Sequence, residues 1–309
     1  MAGSNAAAPG EIGRRDLFIA GAGAAALVAA IGNGRTVLAQ TAGQAAPQGA
    51  PPGTVEVERR GSVLLIGINR PQAQNRFDPP IILGIGKAYY QLDHDDGLRV
   101  AVLHGIGANF SLGVDLPAFL EGLRSGVLPP KDPDFINPFG LRPPFRAKPV
   151  VVAVQGGTQL GAHELFLACD IRVAASDSAF RQHEVARGVF PGGGATVRFT
   201  REAGWANAMR YMLTGDEWGA EEAHRLGLVQ EVTPPGTQLD RAIQLAEKIA
   251  AAAPLGVRAT LATAHQAISA EEPTLQGLLP EFQKITQSED AQEAQRAFRE
   301  NRQPVFRGR

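Results

Sequence analysis

The pattern of apolar and polar residues is most informative between positions 148 and 194, where it predicts a buried strand followed by a helix. Residues Val150–Val154 form an uninterrupted apolar run, which is typical of a strand covered on both faces. A glycine-rich turn occupies residues 155–161, so the pattern predicts that a helix begins at or near Gly161. Glu164 lies three residues further on, on the same helical face as Gly161. The sequence thus places unpaired backbone N–H groups beside a carboxylate.

The remaining pattern predicts a mixed α/β chain that ends in helices. Residues 55–58 alternate like a half-buried strand, and residues 63–68 are the expected hairpin partner across a turn at 60–62. A helix is expected at 81–92 and a strand at 99–104. Further helices are predicted at 205–213, 220–226, 239–252, 255–268, 275–286 and 291–301.

Residues 117–146 contain repeated prolines and are expected to form long loops. Four apolar side chains in this segment have two interpretations: they line an apolar site, or they pack the loop onto the body of the protein. We prefer the second interpretation. The four residues are Phe135, Phe139, Leu141 and Phe145.

The N-terminal region differs from the rest of the chain. The pair Arg14-Arg15 precedes a charge-free run rich in Ala and Gly from 17 to 34, and small residues surround position 39. This pattern is similar to a twin-arginine export signal, so residues 1–39 are predicted to be a signal peptide. Residues 40–53, rich in Pro, Ala, Gly and Gln, are predicted to be a flexible linker.

Two other interpretations of the N-terminus stay open: a transmembrane anchor and a mistaken upstream start. The apolar run is short and poor in large side chains, so no stable membrane anchor is expected. The preferred expectation is export, with the mature protein outside the cytoplasm. A mistaken start would instead make the protein cytoplasmic.

Composition and charge argue against nucleic-acid binding, an internal disulfide and a metal site. The chain has 309 residues and a formal net charge of −1, which argues against an extended basic surface for nucleic acid. Cys169 is the single cysteine, so no internal disulfide can form, and we expect it to be a small core residue. The six histidines show no spacing typical of a metal site, and no metal is predicted.

Two ordered motifs connect the central stretch to a known family. Segment 148–170 contains Lys148-Pro149-Val150, Gln155-Gly156, Gly161-Ala162-His163-Glu164-Leu165 and Cys169-Asp170. Segment 183–196 contains His183-Glu184, Gly188 and Pro191-Gly192-Gly193-Gly194-Ala195-Thr196. In this order, with the two glutamates 20 residues apart, the motifs resemble the crotonase (enoyl-CoA hydratase/isomerase) superfamily. The alternative is that both are ordinary surface glutamates.

Other segments extend the resemblance over about residues 54–308. Residues 69–75 (NRPQAQN) are similar to the family loop whose backbone lies against the adenine end of coenzyme A. Residues 105–116 (GIGANFSLGVDL) resemble the turn that carries one oxyanion-hole amide. Residues 213–229 and the C-terminal segment 290–306 also resemble family signatures.

The resemblance implies an α/β fold, the crotonase (ClpP-like) spiral of ββα units followed by a helical C-terminal trimerisation region. Residues 54–240 are expected to form the spiral core and residues 241–309 the helical region. The expected assembly is a homotrimer or a dimer of trimers.

The resemblance also implies the site. Glu164 and Glu184 are expected to be catalytic, and the backbone N–H groups of Val114 and Gly161 are expected to form the oxyanion hole. The residues expected to bind substrate are Asn75, Arg76, Gly113, Leu160, His163, His183, Pro191 and Gly192.

Several of these positions depart from the family pattern. Leu160-Gly161-Ala162 replaces a triple glycine, and His183 replaces the proline before the second glutamate. Two His-Glu pairs result, in which a histidine would tune a carboxylate pKa or act as a second acid or base. Neighbours along a helix point about 100° apart, so His163 need not face the same way as Glu164.

The implied function is that of an enoyl-CoA hydratase-like lyase, which adds water to an α,β-unsaturated acyl thioester or removes it. No cofactor is expected beyond coenzyme A as part of the substrate. Two alternatives remain: a coenzyme A-independent hydrolase or hydratase of a free β-dicarbonyl or enone, and a non-catalytic scaffold. The export signal and the altered residues Gln74, Arg76, Leu160, Ala162 and His183 favour the first alternative mildly.

Overall fold

A computed structural model describes residues 50–128, 130–187, 190–269 and 287–309. The predicted signal peptide, residues 40–49 of the predicted linker and the predicted helix at 275–286 lie outside these ranges. No helix within them combines the length and hydropathy that a bilayer-spanning segment requires.

The globular part opens with the predicted hairpin. Strand β1 (Thr54–Arg60) pairs antiparallel with β2 (Val63–Asn69), and Thr54 lies opposite Asn69. Gly61 occupies the connecting turn at φ +59°, where a residue with a Cβ would be strained. Almost every residue of β2 is buried while β1 is largely exposed, so β1 is the edge of the sheet.

The main sheet is parallel beyond this hairpin. Within the described residues it contains six strands in the order β1-β2-β3-β4-β6-β9. The parallel members are β3 (Val100–Gly105), β4 (Val150–Val154), β6 (Ile171–Ala175) and β9 (Glu231–Thr233). The apolar run at 150–154 is therefore a central strand buried on both faces, as its composition predicted.

A second, smaller sheet was not predicted. It is formed in the described residues by β5 (Gly157–Gln159), β7 (Ala179–Arg181) and β8 (Glu217–Gly219). Strand β5 lies inside the segment that the sequence indicated to be a turn. Each of these strands has three residues, which is too short for apolar periodicity to reveal.

Most predicted helices are confirmed to within a few residues, with two additions. These are the second helix below, which begins the proline-rich segment predicted to be a loop, and the fourth helix, which was not predicted. In chain order the described helices are α1 (Pro79–His94), α2 (Leu116–Arg124), α3 (Gly161–Leu167), α4 (Ala195–Ala203), α5 (Trp205–Thr214), α6 (Ala220–Arg225), α7 (Gln238–Ala250), α8 (Pro254–Ser269) and α9 (Glu289–Arg299).

The core lies on both faces of the main sheet. Helix α1 and helix α3 belong to the larger apolar cluster, together with Phe77, Phe110 and Phe166. Helix α7 covers the other face through Ala242, Ile243 and Ala246, which pack with the outward side chains of β2, β3, β4 and β6. The expected boundary between core and helical region at 240 therefore falls inside a helix that belongs to the sheet.

Candidate active site

The first element of the site is the start of α3. The chain leaves β5 and reaches Leu160, whose φ of 53° and ψ of −130° turn it into the helix at Gly161. The first N–H groups of a helix have no intrahelical partner, and the helix dipole is positive there. A Cβ built on Gly161 would lie 2.9 Å from Cγ2 of Val114 and 4.0 Å from its backbone N. The backbone of Gly161 therefore lies close to that of Val114.

Val114 is held on the loop that follows β3. The residues on either side of it are tied to Phe77, because Phe77 N–H donates to Gly113 O and Asp115 N–H donates to Phe77 O, each at 2.8 Å. Gly113 has φ +92°, and a Cβ there would come within 2.8 Å of Gln159 O. These contacts fix Val114 opposite the start of α3.

Glu164 lies one turn into α3 and is almost completely buried. Its Oε1 accepts hydrogen bonds from the backbone N–H groups of Gly193 at 2.7 Å and Ala195 at 3.1 Å. Burial raises the pKa of Glu164 above its ordinary value, while these amides and Arg198 oppose the rise. A Cβ on Gly193 would lie 2.6 Å from Oε2 of Glu164, so only glycine allows the loop to approach this closely.

Glu184 begins a short 3-10 turn after β7 and is also buried. Its Oε1 accepts a hydrogen bond of 2.7 Å from Nε2 of Gln182. Both glutamates reach the same pocket, although they come from different parts of the chain. The pattern of two carboxylates beside two backbone amides is therefore present in three dimensions.

Val114, Gly161, Glu164 and Glu184 line a pocket of about 450 Å³, together with Gly192. The rest of the wall is mostly apolar and includes Ile82, Phe119, Phe135, Phe139, Leu141 and Phe190. The pocket can therefore hold an apolar chain whose polar head faces the two carboxylates.

Three of the four apolar residues in the proline-rich segment line this pocket, and two of them, Phe135 and Phe139, also pack onto the body of the protein as the preferred interpretation predicted. Phe135, Phe139 and Leu141 form part of the wall, whereas Phe145 is 59% exposed and does not. Phe139 also packs edge-on against Phe77. The sequence does not distinguish a packed aromatic from a pocket aromatic, because both follow the same apolar pattern.

The structure separates the predicted site residues into two groups. Val114, Leu160, Gly161, Glu164, Glu184 and Gly192 line the pocket, whereas Asn75, Arg76, Gly113, His163, His183 and Pro191 do not. Gly113 instead shapes the loop that presents Val114. Pro191 and His183 are buried next to the pocket loops.

The side chains of Asn75 and Arg76 hold loops together, and the expectation that these residues bind substrate stays a prediction. Nδ2 of Asn75 donates to the carbonyls of Ile106 and Asn109, both at 2.9 Å. Nη1 of Arg76 donates to Leu112 O at 2.8 Å. Both side chains are buried, so their polar groups fix the segment that leads to Val114.

His163 points away from its neighbour Glu164, into an aromatic cluster. Its ring lies 5.2–6.0 Å from four aromatic ring centres. Burial lowers the pKa of His163 to about 3, so the ring is neutral at physiological pH. The hypothesis of a second acid or base therefore fails for His163, because a fully buried neutral ring outside the pocket cannot reach a substrate.

Sequence analysis missed Gln182, the side chain that contacts Glu184 directly. It lies directly after β7 and two residues before the second glutamate, and that closeness in sequence was the available signal. Glu184 begins a 3-10 turn, so no strand or helix periodicity relates the two side chains.

Comparison with known proteins gives the family. The sequence profile of the enoyl-CoA hydratase/isomerase family matches residues 58–309. The chain belongs to the enoyl-CoA hydratase/isomerase family. This member is 32% identical over 259 residues to "Enoyl-CoA hydratase EchA19" of Mycobacterium tuberculosis, covering 82% of the chain and 96% of the relative. It is 34% identical over 265 residues to "(E)-benzylidenesuccinyl-CoA hydratase" of Thauera aromatica, covering 83% and 99%.

The crotonase fold of this family member is confirmed by solved structures. A probable enoyl-CoA hydratase/isomerase from Mycobacterium abscessus superposes with a TM-score of 0.79 and 41% sequence identity. The match covers 83% of this chain and 99% of that structure. An enoyl-CoA hydratase from Mycobacterium tuberculosis H37Rv gives a TM-score of 0.75, also at 41% identity, over 82% of this chain and 99% of that one.

The raised pKa of Glu164 leads to a prediction about stability. The pKa of Glu164 is higher in the folded state than in the unfolded state. The free energy of unfolding therefore falls as the pH rises from the unfolded-state pKa to the folded-state pKa. Glu164→Gln removes the ionisable group and with it this loss of stability. The side-chain carbonyl of glutamine can still accept hydrogen bonds from the two backbone amides. We expect the variant to gain in Tm relative to wild type at about pH 8, and to gain less at about pH 4. An equal or larger gain in Tm at the lower pH would contradict the burial of the Glu164 carboxylate.

Proposed function

We propose that the protein adds water across the double bond of an α,β-unsaturated acyl-CoA, or catalyses the reverse elimination. The observation that carries the proposal is that Val114, Gly161 and two buried glutamates line one mostly apolar pocket, with the backbones of Val114 and Gly161 close together. An apolar acyl chain fits the apolar wall, and a thioester head fits beside the glutamates. Relatives whose names specify CoA hydratases support the thioester.

In this proposal the amides of Val114 and Gly161 bind the thioester oxygen. Their N–H groups stabilise the negative charge that develops there when water attacks the β-carbon and an enolate forms. Preorganised donors of this kind cost no reorganisation during the reaction, and each contributes about 3–4 kcal/mol to transition-state stabilisation. The positive end of α3 adds to the same effect.

Glu164 and Glu184 hold the attacking water and move its protons. The water oxygen bonds to the β-carbon, one proton passes to a glutamate, and a proton is delivered to the α-carbon. The sum is addition of one water, with no oxidant or reductant. No cofactor is therefore required beyond the coenzyme A carried by the substrate, and no metal is assigned a role.

The pocket gives no separate support to the two alternatives. A free β-dicarbonyl or enone would use the same amides, but the named CoA hydratases favour a thioester. A non-catalytic scaffold would have no need for two buried carboxylates, which cost free energy to maintain in a pocket. The hydratase remains the function that the site supports best.

The proposal is tested by isotope incorporation. The protein is incubated with crotonyl-CoA in water enriched in oxygen-18, and the acyl-CoA products are analysed by mass spectrometry. We expect 3-hydroxybutyryl-CoA with the label in the hydroxyl group. An unlabelled isomer would indicate isomerase chemistry, and free coenzyme A with a labelled carboxylate would indicate thioester hydrolysis.

Leu160 should limit the size of the acyl group. Its side chain lines the pocket, and its φ of 53° is one that glycine adopts freely but leucine rarely does. We expect Leu160→Gly to raise the ratio of kcat/KM for decenoyl-CoA over crotonyl-CoA by about tenfold, the order that added pocket space gives. An unchanged ratio would show that Leu160 does not contact the acyl chain.

We further propose assembly as a homotrimer or a dimer of trimers. Large apolar side chains on the surface support an interface, among them Trp205, which is 73% exposed, and Leu213, which is 66% exposed. Light scattering after size-exclusion chromatography tests the assembly, and a monomer would contradict it.

Export remains a separate proposal, supported by Arg14-Arg15 and the apolar run after them. Replacing both arginines by lysine should keep the protein in the cytoplasm and prevent N-terminal processing. Unchanged cell fractionation would support a mistaken start and a cytoplasmic protein. The outcome also decides where an acyl-CoA substrate must be available.

A further inference from the structure

A chain of two hydrogen bonds connects Glu184 to the aromatic cluster behind the pocket. Nδ1 of His163 lies 2.5 Å from Oε1 of Gln182, and Nε2 of Gln182 lies 2.7 Å from Oε1 of Glu184. His163 and Gln182 are completely buried, and neither lines the pocket. His163, the neighbour of Glu164 in α3, is thus linked to the other proposed catalytic carboxylate through one amide.

The donor and acceptor in each of these two hydrogen bonds follow from the chemistry of the groups. An ionised carboxylate only accepts hydrogen bonds, so the amide nitrogen of Gln182 must face Glu184 and its oxygen must face His163. The amide oxygen in turn requires a donor, so Nδ1 of His163 carries the ring proton. Burial lowers the pKa of His163 to about 3, which leaves the neutral ring with its one proton at this position.

Without a donor at residue 163, only Glu184 selects between the two orientations of the Gln182 amide. In the second one its oxygen faces Glu184, which only a protonated carboxyl group can satisfy. We propose that His163 is a positioning residue that makes the Gln182 amide donate to Glu184 and thereby fixes this carboxylate for water activation. The inference rests on the proposed hydratase function.

The surroundings of His163 support a role beyond packing. Nε2 of His163 has no hydrogen-bond partner in the described part of the chain, although the ring is fully buried. A buried polar atom without a partner costs free energy, and an apolar side chain of similar size would avoid that cost. The rings around it are those of Phe166, Phe180, Phe199 and Trp218.

Two variants separate positioning from packing. His163→Leu keeps a similar volume and removes the donor. It also removes the unpartnered Nε2, which offsets the cost of leaving the buried Gln182 oxygen without a donor, so its stability should be close to that of wild type. His163→Asn leaves a cavity and should lower Tm, but its amide nitrogen can replace Nδ1. If His163 is a positioning residue, activity should be kept in the variant that retains a hydrogen-bond donor. If His163 serves only packing, activity should be higher in the more stable variant.

We expect His163→Leu to lower kcat for crotonyl-CoA hydration about tenfold with little change in KM, as for loss of a bond that orients a charged group. His163→Asn should retain kcat within about threefold of wild type when assayed below its Tm. Wild-type kcat in His163→Leu would overturn the inference. A folded His163→Asn as impaired as His163→Leu would overturn it too.

Unfolding measurements test the same chain without turnover, which keeps this inference separate from the hydratase proposal. The free energies of unfolding are compared for wild type, His163→Leu, Glu184→Ala and the double variant. His163 and Glu184 act through Gln182, so the two changes should be non-additive. Additive changes would overturn the inference. If the changes in unfolding free energy are non-additive but the protein hydrates no enoyl-CoA, the proposed role of His163 in the hydrogen-bond chain stands and the hydratase proposal is rejected.

Discussion

Replacing Glu164 by Gln should lower kcat for enoyl-CoA hydration about a thousandfold, within the range that loss of a proton-transferring group produces. Glutamine has the same shape, and its carbonyl can still accept the N–H groups of Gly193 and Ala195. The pocket should therefore keep its geometry, and the amide cannot take or release the proton. KM should change far less than kcat.

Glu184→Gln should have an effect of similar size, because both carboxylates are required to hold one water and to move its protons. Glu221→Gln on α6 is the matched control, since Glu221 is exposed and lies outside the pocket. All three variants are compared with wild type by their initial rates of crotonyl-CoA hydration. Activity near wild type in either pocket variant would remove that glutamate from the mechanism.

Gly161→Ala should lower kcat/KM by about a hundredfold or more, the order expected when one oxyanion donor is lost. The added Cβ would lie 2.9 Å from Cγ2 of Val114, closer than such atoms normally approach. The start of α3 and the loop of Val114 must then separate. The two amides would no longer converge on one oxygen atom.

The matched control for this change is Gly256→Ala on α8. A Cβ built on Gly256 has no heavy atom within 4 Å, and the residue lies outside the pocket. Alanine there should leave the rate unchanged. Circular dichroism and Tm show whether Gly161→Ala remains folded. A folded Gly161→Ala with wild-type activity would contradict the assignment of Gly161 as an oxyanion donor.

The central strand and the helix after it could be predicted because several local signals agree there. An apolar run, a glycine-rich turn and a carboxylate at helical spacing all indicated β4 followed by α3. The pocket placement of Glu164 and Glu184 came from the ordered motifs, since nothing local to either residue indicates that both reach the same pocket. Helix positions were accurate where apolar residues recur over several turns, as in α1 and α7.

Other features depend on contacts between distant segments and could not be predicted. Asn75 was expected at the substrate, yet its amide is occupied by carbonyls more than 30 positions away. The direction of His163 depends on how α3 packs against β7 and α4, which periodicity in a helix of seven residues does not determine. Helix α2 was missed because the prolines after it dominated the pattern of the whole segment.

The most direct test of the proposed function is the initial rate at which the conjugated enoyl-thioester absorbance disappears when the full-length protein is mixed with crotonyl-CoA. The structure-based proposal predicts a rate proportional to protein concentration, with 3-hydroxybutyryl-CoA as the product. No loss of absorbance and no coenzyme A binding, from a folded protein that consumes a free enone or β-dicarbonyl compound, would contradict it.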